Sequence, residues 1–321
     1  MSRATREAYR DSLLPLLGRH PELMCLDSDT GLFGADHVAT AGDQYLNLGI
    51  AEQNLMGVAA GMAACGRVPF VNTMAAFAAS RALEAVKIDI AYNRLPVRIM
   101  ATHGGLAAGH LGPTHHALED LAVMRVLPGM TVVVPADAAA TESFVEQSLT
   151  LAGPLYLRLG RKPTPPIPAA APPVIGRAQT LRTGADVVLV SCGPYPVLAC
   201  VAAAEFLSQQ GIEATVLNMH TVRPLDAETL IAAARSAALV VTIEEHWRDG
   251  GLGGAVAETL AEAAPIRVLR LGVPDKFVDE VGNQEHLVAH YDLTAERVVR
   301  VVRTALDAAV RSGTTHWKEH I

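Results

Sequence analysis

"YLNLGIAEQNLMGVAAGMAACG" occupies residues 45–66, and "VPFVN" follows at 68–72. The first stretch predicts a helix over 51–64, because its residues are small, apolar and free of proline. The second is a short apolar run and predicts a buried strand. A helix feeding directly into a strand that is apolar on both faces is the repeating unit of a parallel α/β sheet. Glu52 is the one acid or base between Asp43 and Arg67. An acid in a first helical turn complements the helix dipole. A carboxyl kept protonated by desolvation would instead be poised to exchange a proton with a ligand nitrogen. Both readings stand on the local sequence.

The same alternation extends outward. "LMCLD" (23–27), "VRIMAT" (97–102), "TVVVP" (131–135) and "LYLRL" (155–159) predict further buried strands. Segments 76–92, 117–127 and 137–150 predict helices between them, with Asp137 as the N-cap of the last. "RKPTPPIPAAAPPV" (161–174) is too proline-dense for helix or central strand and reads as a linker. Beyond it the alternation resumes, with strands near 186–191, 213–218, 238–245 and 266–271. Helices are expected over 195–210, 226–235, 252–263 and 294–311. The reading is therefore α/β, two parallel-sheet α/β domains over 1–162 and 177–321, joined by a linker at 163–176.

Composition narrows the function. Half of the 321 residues are hydrophobic and only 4% are aromatic, so the core is built from Ala, Val, Leu and Ile. The net charge is −7 and no basic stripe runs along the chain, which argues against nucleic acid. Cys25, Cys65, Cys192 and Cys200 form no CxxC pair and read as reduced thiols. The polar N-terminal segment has no secretory h-region and no stretch is long enough to span a membrane, so a cytoplasmic protein is expected.

Ligands of open α/β sheets bind outside the carboxyl ends of the strands. The polar and glycine-rich segments "DSDTGLFG" (27–34), "NTMAAF" (72–77) and "THGGLAAGHLGPTHH" (102–116) fall at those ends. The last holds His103, His110, His115 and His116. A Gly-Pro loop lacks the fixed geometry of a zinc site. Imidazoles acting as proton donors and anion ligands suit it better. Met74 and Phe77, spaced i,i+3, would share a helical face and offer Phe77 as a stacking platform. Arg6, Arg158 and Arg161 could hold an anion.

Taken in order, "GIAEQNLMGVAAGMAACG", "PFVNTMAAF", "THGGLAAGHLGPTHHALEDLAVMRVLPGMTVVVPADA", "NMHTVRPLD" and "EEHWRDGGLGGAVAETL" resemble the C-terminal two-thirds of transketolase and of deoxyxylulose-phosphate synthase. The resemblance covers nearly the whole chain and implies a thiamine diphosphate enzyme. It matches Glu52 with the carboxyl that meets N1′ of the aminopyrimidine, and Asp29 with an acid near the cofactor. Met74 and Phe77 match the aromatic pair on the pyrimidine, with Met74 replacing an aromatic and Ser80 a tyrosine. His115 matches a substrate-facing histidine that assists proton transfer. His103, Arg161 and Arg6 match ligands of a sugar phosphate, and His103 joins Glu52 and His115 in the expected catalytic set. Phe33 stands where a phosphate-binding serine is expected. Leu111, next to His110, replaces an acid that binds sugar hydroxyls.

The family holds the diphosphate and its Mg2+ through a Gly-Asp-Gly motif with a downstream Asn, which this sequence lacks. "RDGGLGG" (248–254) is the nearest candidate. The resemblance therefore implies the β half of a split carboligase that moves a two-carbon or acyl unit. A separate N-terminal-section α subunit would hold most of the diphosphate and metal, giving an α2β2 heterotetramer. The alternatives are the β-subunit of a 2-oxo-acid dehydrogenase first component and a non-catalytic paralogue.

Overall fold

The computed structural model describes residues 2–169 and 171–311. Residue 170 of the expected linker and residues 312–321 of the expected second domain lie outside the described residues. Fourteen strands are formed among the described residues. In the first half these are β1 (Arg3–Ala4), β2 (Leu23–Asp27), β3 (Tyr45–Asn47), β4 (Val68–Met74), β5 (Arg98–Thr102), β6 (Thr131–Val133), β7 (Leu155–Arg158) and β8 (Pro163–Thr164). In the second they are β9 (Gln179–Arg182), β10 (Val187–Ser191), β11 (Ala214–Asn218), β12 (Thr221–Arg223), β13 (Leu239–Trp247) and β14 (Val268–Val273).

Two α/β sheets result, as the apolar runs imply. The first has the order β12-β6-β7-β5-β4-β2-β3, parallel except at β12. The second has the order β14-β13-β10-β11-β9, parallel except at β9. The β12 strand belongs by sequence to the second half, yet it completes the edge of the first sheet beside β6. One apolar cluster runs through both halves, from Leu55 and Val71 to Val190, Leu217 and Leu252. Burial of this continuous surface ties the two sheets together.

The first half differs from expectation in further places. Segment 76–92 is not one helix: Ala75–Ala79 stops, Leu83–Ala85 follows, and Val86–Ala91 forms a π-helical turn. Met74 ends β4 and precedes the short helix carrying Phe77, so the two do not share a helical face. The edge strand β3 and the Thr5–Leu17 helix have no counterpart in the sequence reading. The three-residue β3 is too short to show a period, and Pro15 lies inside the helix.

Four adjacent strands bring their carboxyl ends to one edge. β3 leads to the helix headed by Glu52, β2 to Asp29, β4 to Phe77, and β5 to His103. The register aligns Asp27 with Asn72 and Met74 with Thr102, so these loops leave the sheet side by side.

Candidate active site

Glu52 opens the Glu52–Ala64 helix and is only 1% exposed. It is not the isolated carboxyl that its sequence neighbourhood suggests. Arg81 Nη1 donates to its Oε2 at 2.7 Å. The guanidinium carbon also lies 4.4 Å from the centre of the Phe77 ring. Phe77 in turn meets the His115 imidazole edge-on, with ring centres 5.2 Å apart. Glu52, Arg81, Phe77 and His115 thus form one continuous line along the sheet edge. Arg81 reaches Glu52 because the helix is interrupted at Ser80–Ala82, which takes residue 81 out of the register that a single helix would impose.

A second group gathers around His103. Its backbone is left-handed, with φ +60°, a costly conformation for a residue with a Cβ and one found where a site dictates it. The ring is buried, and its Nδ1 is 3.0 Å from Thr102 Oγ1. Burial, then Arg6, Arg161 and His115, pushes its pKa down to about 3. Arg6 is itself lowered by burial and then by Arg161, and its Nε is buried without a partner. Gly104 N–H donates to the Leu159 carbonyl at 3.1 Å and Arg6 N–H to the Gly160 carbonyl at 3.3 Å, so the segments carrying two guanidinium groups and a neutral imidazole lie side by side. Such a set offers several N–H donors to a single anion.

The loop that carries His103 and His115 is clamped from both domains. Gly105 and Ala117 exchange backbone hydrogen bonds at 3.1 and 3.0 Å. Glu245, from β13, accepts Leu106 N–H at 2.6 Å and Gln284 Nε2 at 2.9 Å on the same oxygen. Arg158, at the end of β7, donates to the carbonyls of Ala117 (2.6 Å) and Glu245 (3.0 Å). Its Nε is 2.9 Å from Asp120 Oδ2, placed as a charge contact rather than an aligned hydrogen bond. Tyr156 donates to the same carboxylate oxygen at 2.7 Å. A Cβ at Gly104 would overlap the Arg158 side chain, so glycine is required there.

Other expected residues stand apart. Asp29 is exposed with φ +61°, and its carboxylate accepts from Asn47 at 3.1 Å. His110 and Leu111 are exposed on the Gly109–Leu111 turn. Among the described residues no side-chain hydrogen bond or ring contact joins them to the cluster. Phe33 is buried against Tyr9 and Tyr45, in the core rather than lining a cleft. Arg158 serves the loop clamp and not the anion group.

The glycine-rich segment 248–254 offers no phosphate cradle. It leads into the Leu252–Ala263 helix, whose first N–H groups are already taken by the buried Glu244 carboxylate, Leu252 at 2.7 Å and Gly253 at 2.8 Å. A carboxylate occupies the place an anion would need. Sequence reasoning missed Arg81, Asp120, Glu245 and Gln284. A buried carboxylate needs a counter-charge, but nothing in the linear sequence singles out Arg81 as its source.

Relatives of the chain and its geometry agree on a family. A transketolase pyrimidine-binding domain matches residues 1–166 and a transketolase C-terminal domain matches residues 176–298. The chain belongs to the transketolase family. It is 37% identical over 313 residues to one of the apulose-4-phosphate transketolase subunits of Phocaeicola vulgatus, covering 95% of this chain and 97% of that protein. It is 39% identical over 300 residues to the 6-deoxy-6-sulfo-D-fructose transketolase subunit SqwH of a Clostridium species, covering 92% of each. A solved structure described as a split gene transketolase, inactive beta4 tetramer, is 42% identical. It superposes with a TM-score of 0.85 over 96% of this chain and 99% of that one. These likenesses group the chain with the C-terminal subunits of split transketolases and disfavour the 2-oxo-acid dehydrogenase reading.

Proposed function

We propose that this chain is the β subunit of a two-gene transketolase. With a separate α subunit it transfers a two-carbon unit between small anionic substrates, using thiamine diphosphate and Mg2+. The observation that carries the reading is Glu52, buried at the carboxyl edge of a parallel sheet and connected through Arg81 to the Phe77 ring and His115. A carboxylate beside an aromatic face fits the edge and plane of an aminopyrimidine. Thiamine diphosphate, when bound, supplies a carbon nucleophile for breaking and making bonds next to a carbonyl.

Each residue then has a task. Glu52 would hold a proton at N1′ of the pyrimidine, and its buried position keeps that carboxyl from water. Phe77 would offer its face to the ring, with Met74 at the strand end beside it and Asp29 on the neighbouring loop. His115 moves a proton on the substrate, and the loop clamp fixes its position. Arg6, Arg161 and His103 bind the anionic tail. The two subunit relatives are named for a phosphorylated and a sulfonated sugar, and both are anions that this cluster suits. His110 and Leu111 border the far end of the substrate.

The diphosphate and Mg2+ fall to the α subunit, because the glycine-rich segment of this chain is closed by Glu244. The most economical assembly is α2β2. The four free thiols, three of them buried, suit a cytoplasmic protein, and no helix among the described residues is long and apolar enough to cross a membrane. The test is reconstitution with an N-terminal-section transketolase subunit. Ketol transfer is expected only from the mixture. Glu52→Gln in the mixture is expected to lower the rate by about 100- to 10,000-fold, the range for a lost acid–base group. Turnover by this chain alone, or a Glu52→Gln rate within a few-fold of wild type, would refute the proposal.

A further inference from the structure

We infer that Arg81 fills the pyrimidine place of this site in the free chain and leaves it when the cofactor enters. The inference rests on the thiamine diphosphate reading above. That reading gives the pyrimidine two protein partners, the carboxylate of Glu52 along its edge and the ring of Phe77 on its face. Arg81 engages both. Its Nη1 donates to Glu52 Oε2 at 2.7 Å while its guanidinium carbon lies 4.4 Å from the Phe77 centre. A guanidinium is planar, cationic and edged with N–H donors. An aminopyrimidine protonated at N1′ presents the same plane and the same edge donor. The two cannot occupy the slot together.

The surroundings explain both the capture and the release. A carboxylate as buried as Glu52 is costly without a counter-charge, and Arg81 supplies one from 29 residues along the chain. The Glu52 side chain is 2% exposed, whereas that of Arg81 is 47% exposed. Arg81 therefore enters from solvent and can withdraw without disturbing the core. The cleft of about 640 Å³ beside it is also lined by Glu84 and Asp89, two carboxylates able to receive the displaced guanidinium. The interruption at Ser80–Ala82 frees residue 81 from helical register, and a π-helical turn at Val86–Ala91 lies beyond the short Leu83–Ala85 helix; such turns are frequent at functional sites. The consequence is functional coupling. The cofactor must displace an ion pair to seat its pyrimidine, and this chain has no diphosphate cradle at its glycine-rich segment to help drive that displacement. Anchoring by a partner chain would supply it.

The experiment uses the full chain and thiamine's pyrimidine half, 4-amino-5-hydroxymethyl-2-methylpyrimidine, titrated by calorimetry. Arg81→Met is expected to bind it about tenfold more tightly than wild type, the factor of one net charge-assisted hydrogen bond no longer competed for. Arg81→Lys should fall between, since it keeps the charge without the planar fork. Thermal unfolding of wild type, Arg81→Met, Glu52→Gln and the double variant should show coupling between the two residues in the free chain, which also reports that each variant folds. Additive effects would overturn the inference. So would Arg81→Met binding no tighter than wild type, binding more weakly, or neither chain binding at millimolar ligand. Thiamine diphosphate affinity of the reconstituted wild-type complex separates the two ideas. If that complex binds the cofactor and Arg81→Met gains nothing, the inference fails while the functional reading stands. If the complex does not bind it, both fall.

Discussion

Replacing Arg158 by methionine should unclamp the histidine loop and destabilise the whole chain. The side chain is 6% exposed and its partner Asp120 is fully buried. The substitution removes the charge opposite Asp120 and leaves the carbonyls of Ala117 and Glu245 without the donor that reaches them at 2.6 and 3.0 Å. Asp120 keeps Tyr156, which cannot neutralise it. Breaking a buried pair by removing one partner costs about 3–5 kcal/mol. At about 2–4 °C per kcal/mol for a domain of about 150–250 residues, the melting temperature should fall by roughly 6–20 °C. Scanning calorimetry measures this. The double variant Arg158→Met/Asp120→Leu sharpens the test: it removes both charges, so it should recover part of the loss. A loss of less than about 1 kcal/mol, or a double variant no better than the single, would refute the claim that an uncompensated charge is the cause.

Three further outcomes are expected. Burial, opposed by Arg158, raises the pKa of Glu245 to about 7. The stability linked to its protonated form is present below about pH 4.5 and lost as pH rises through 7, by an amount on the order of 3 kcal/mol; Glu245→Gln should flatten that part of a melting-temperature profile. The depressed His103 acts in the opposite sense. Its contribution is present above about pH 6.5 and lost as pH falls towards 3; inorganic phosphate should counter the loss by pairing Arg6, Arg161 and the ring, and His103→Asn should abolish the phosphate effect in thermal unfolding. Leu111, exposed in this chain, cannot accept a hydrogen bond, and a substrate hydroxyl buried against it in the reconstituted site would cost about 1–3 kcal/mol if left unpaired. Reconstituted Leu111→Asp should therefore gain roughly 5- to 150-fold in relative preference for a polyol acceptor such as ribose 5-phosphate over a deoxy acceptor, read as a ratio of kcat/KM values; an unchanged ratio removes Leu111 as a selectivity element.

Much of this protein was legible in its linear pattern, because strands buried on both faces need no partner to be recognised. "LMCLD", "VPFVN" and "DVVLVS" each hold an uninterrupted run of four apolar residues with polar residues only at their ends, and each forms a strand of a parallel sheet within a residue or two of the expected bounds. The Asp137 cap was legible for the same reason: its carboxylate bonds to Ala140 N–H, three residues away. Glu52 could be proposed as a chemical group from its type and its place at a helix start, and His103 and His115 from their types and their loop positions. Their partners could not. Arg81 reaches Glu52 across 29 residues, Glu245 reaches Leu106 across 139, and β12 crosses between halves to complete the first sheet. Local sequence sets periodicity and caps, whose hydrogen bonds span three or four residues. Which buried charge meets which, and whether a carboxylate is alone or paired, depends on loops brought together only when the sheets close. The tertiary structure alone decided that the lone acid of residues 44–66 has a companion.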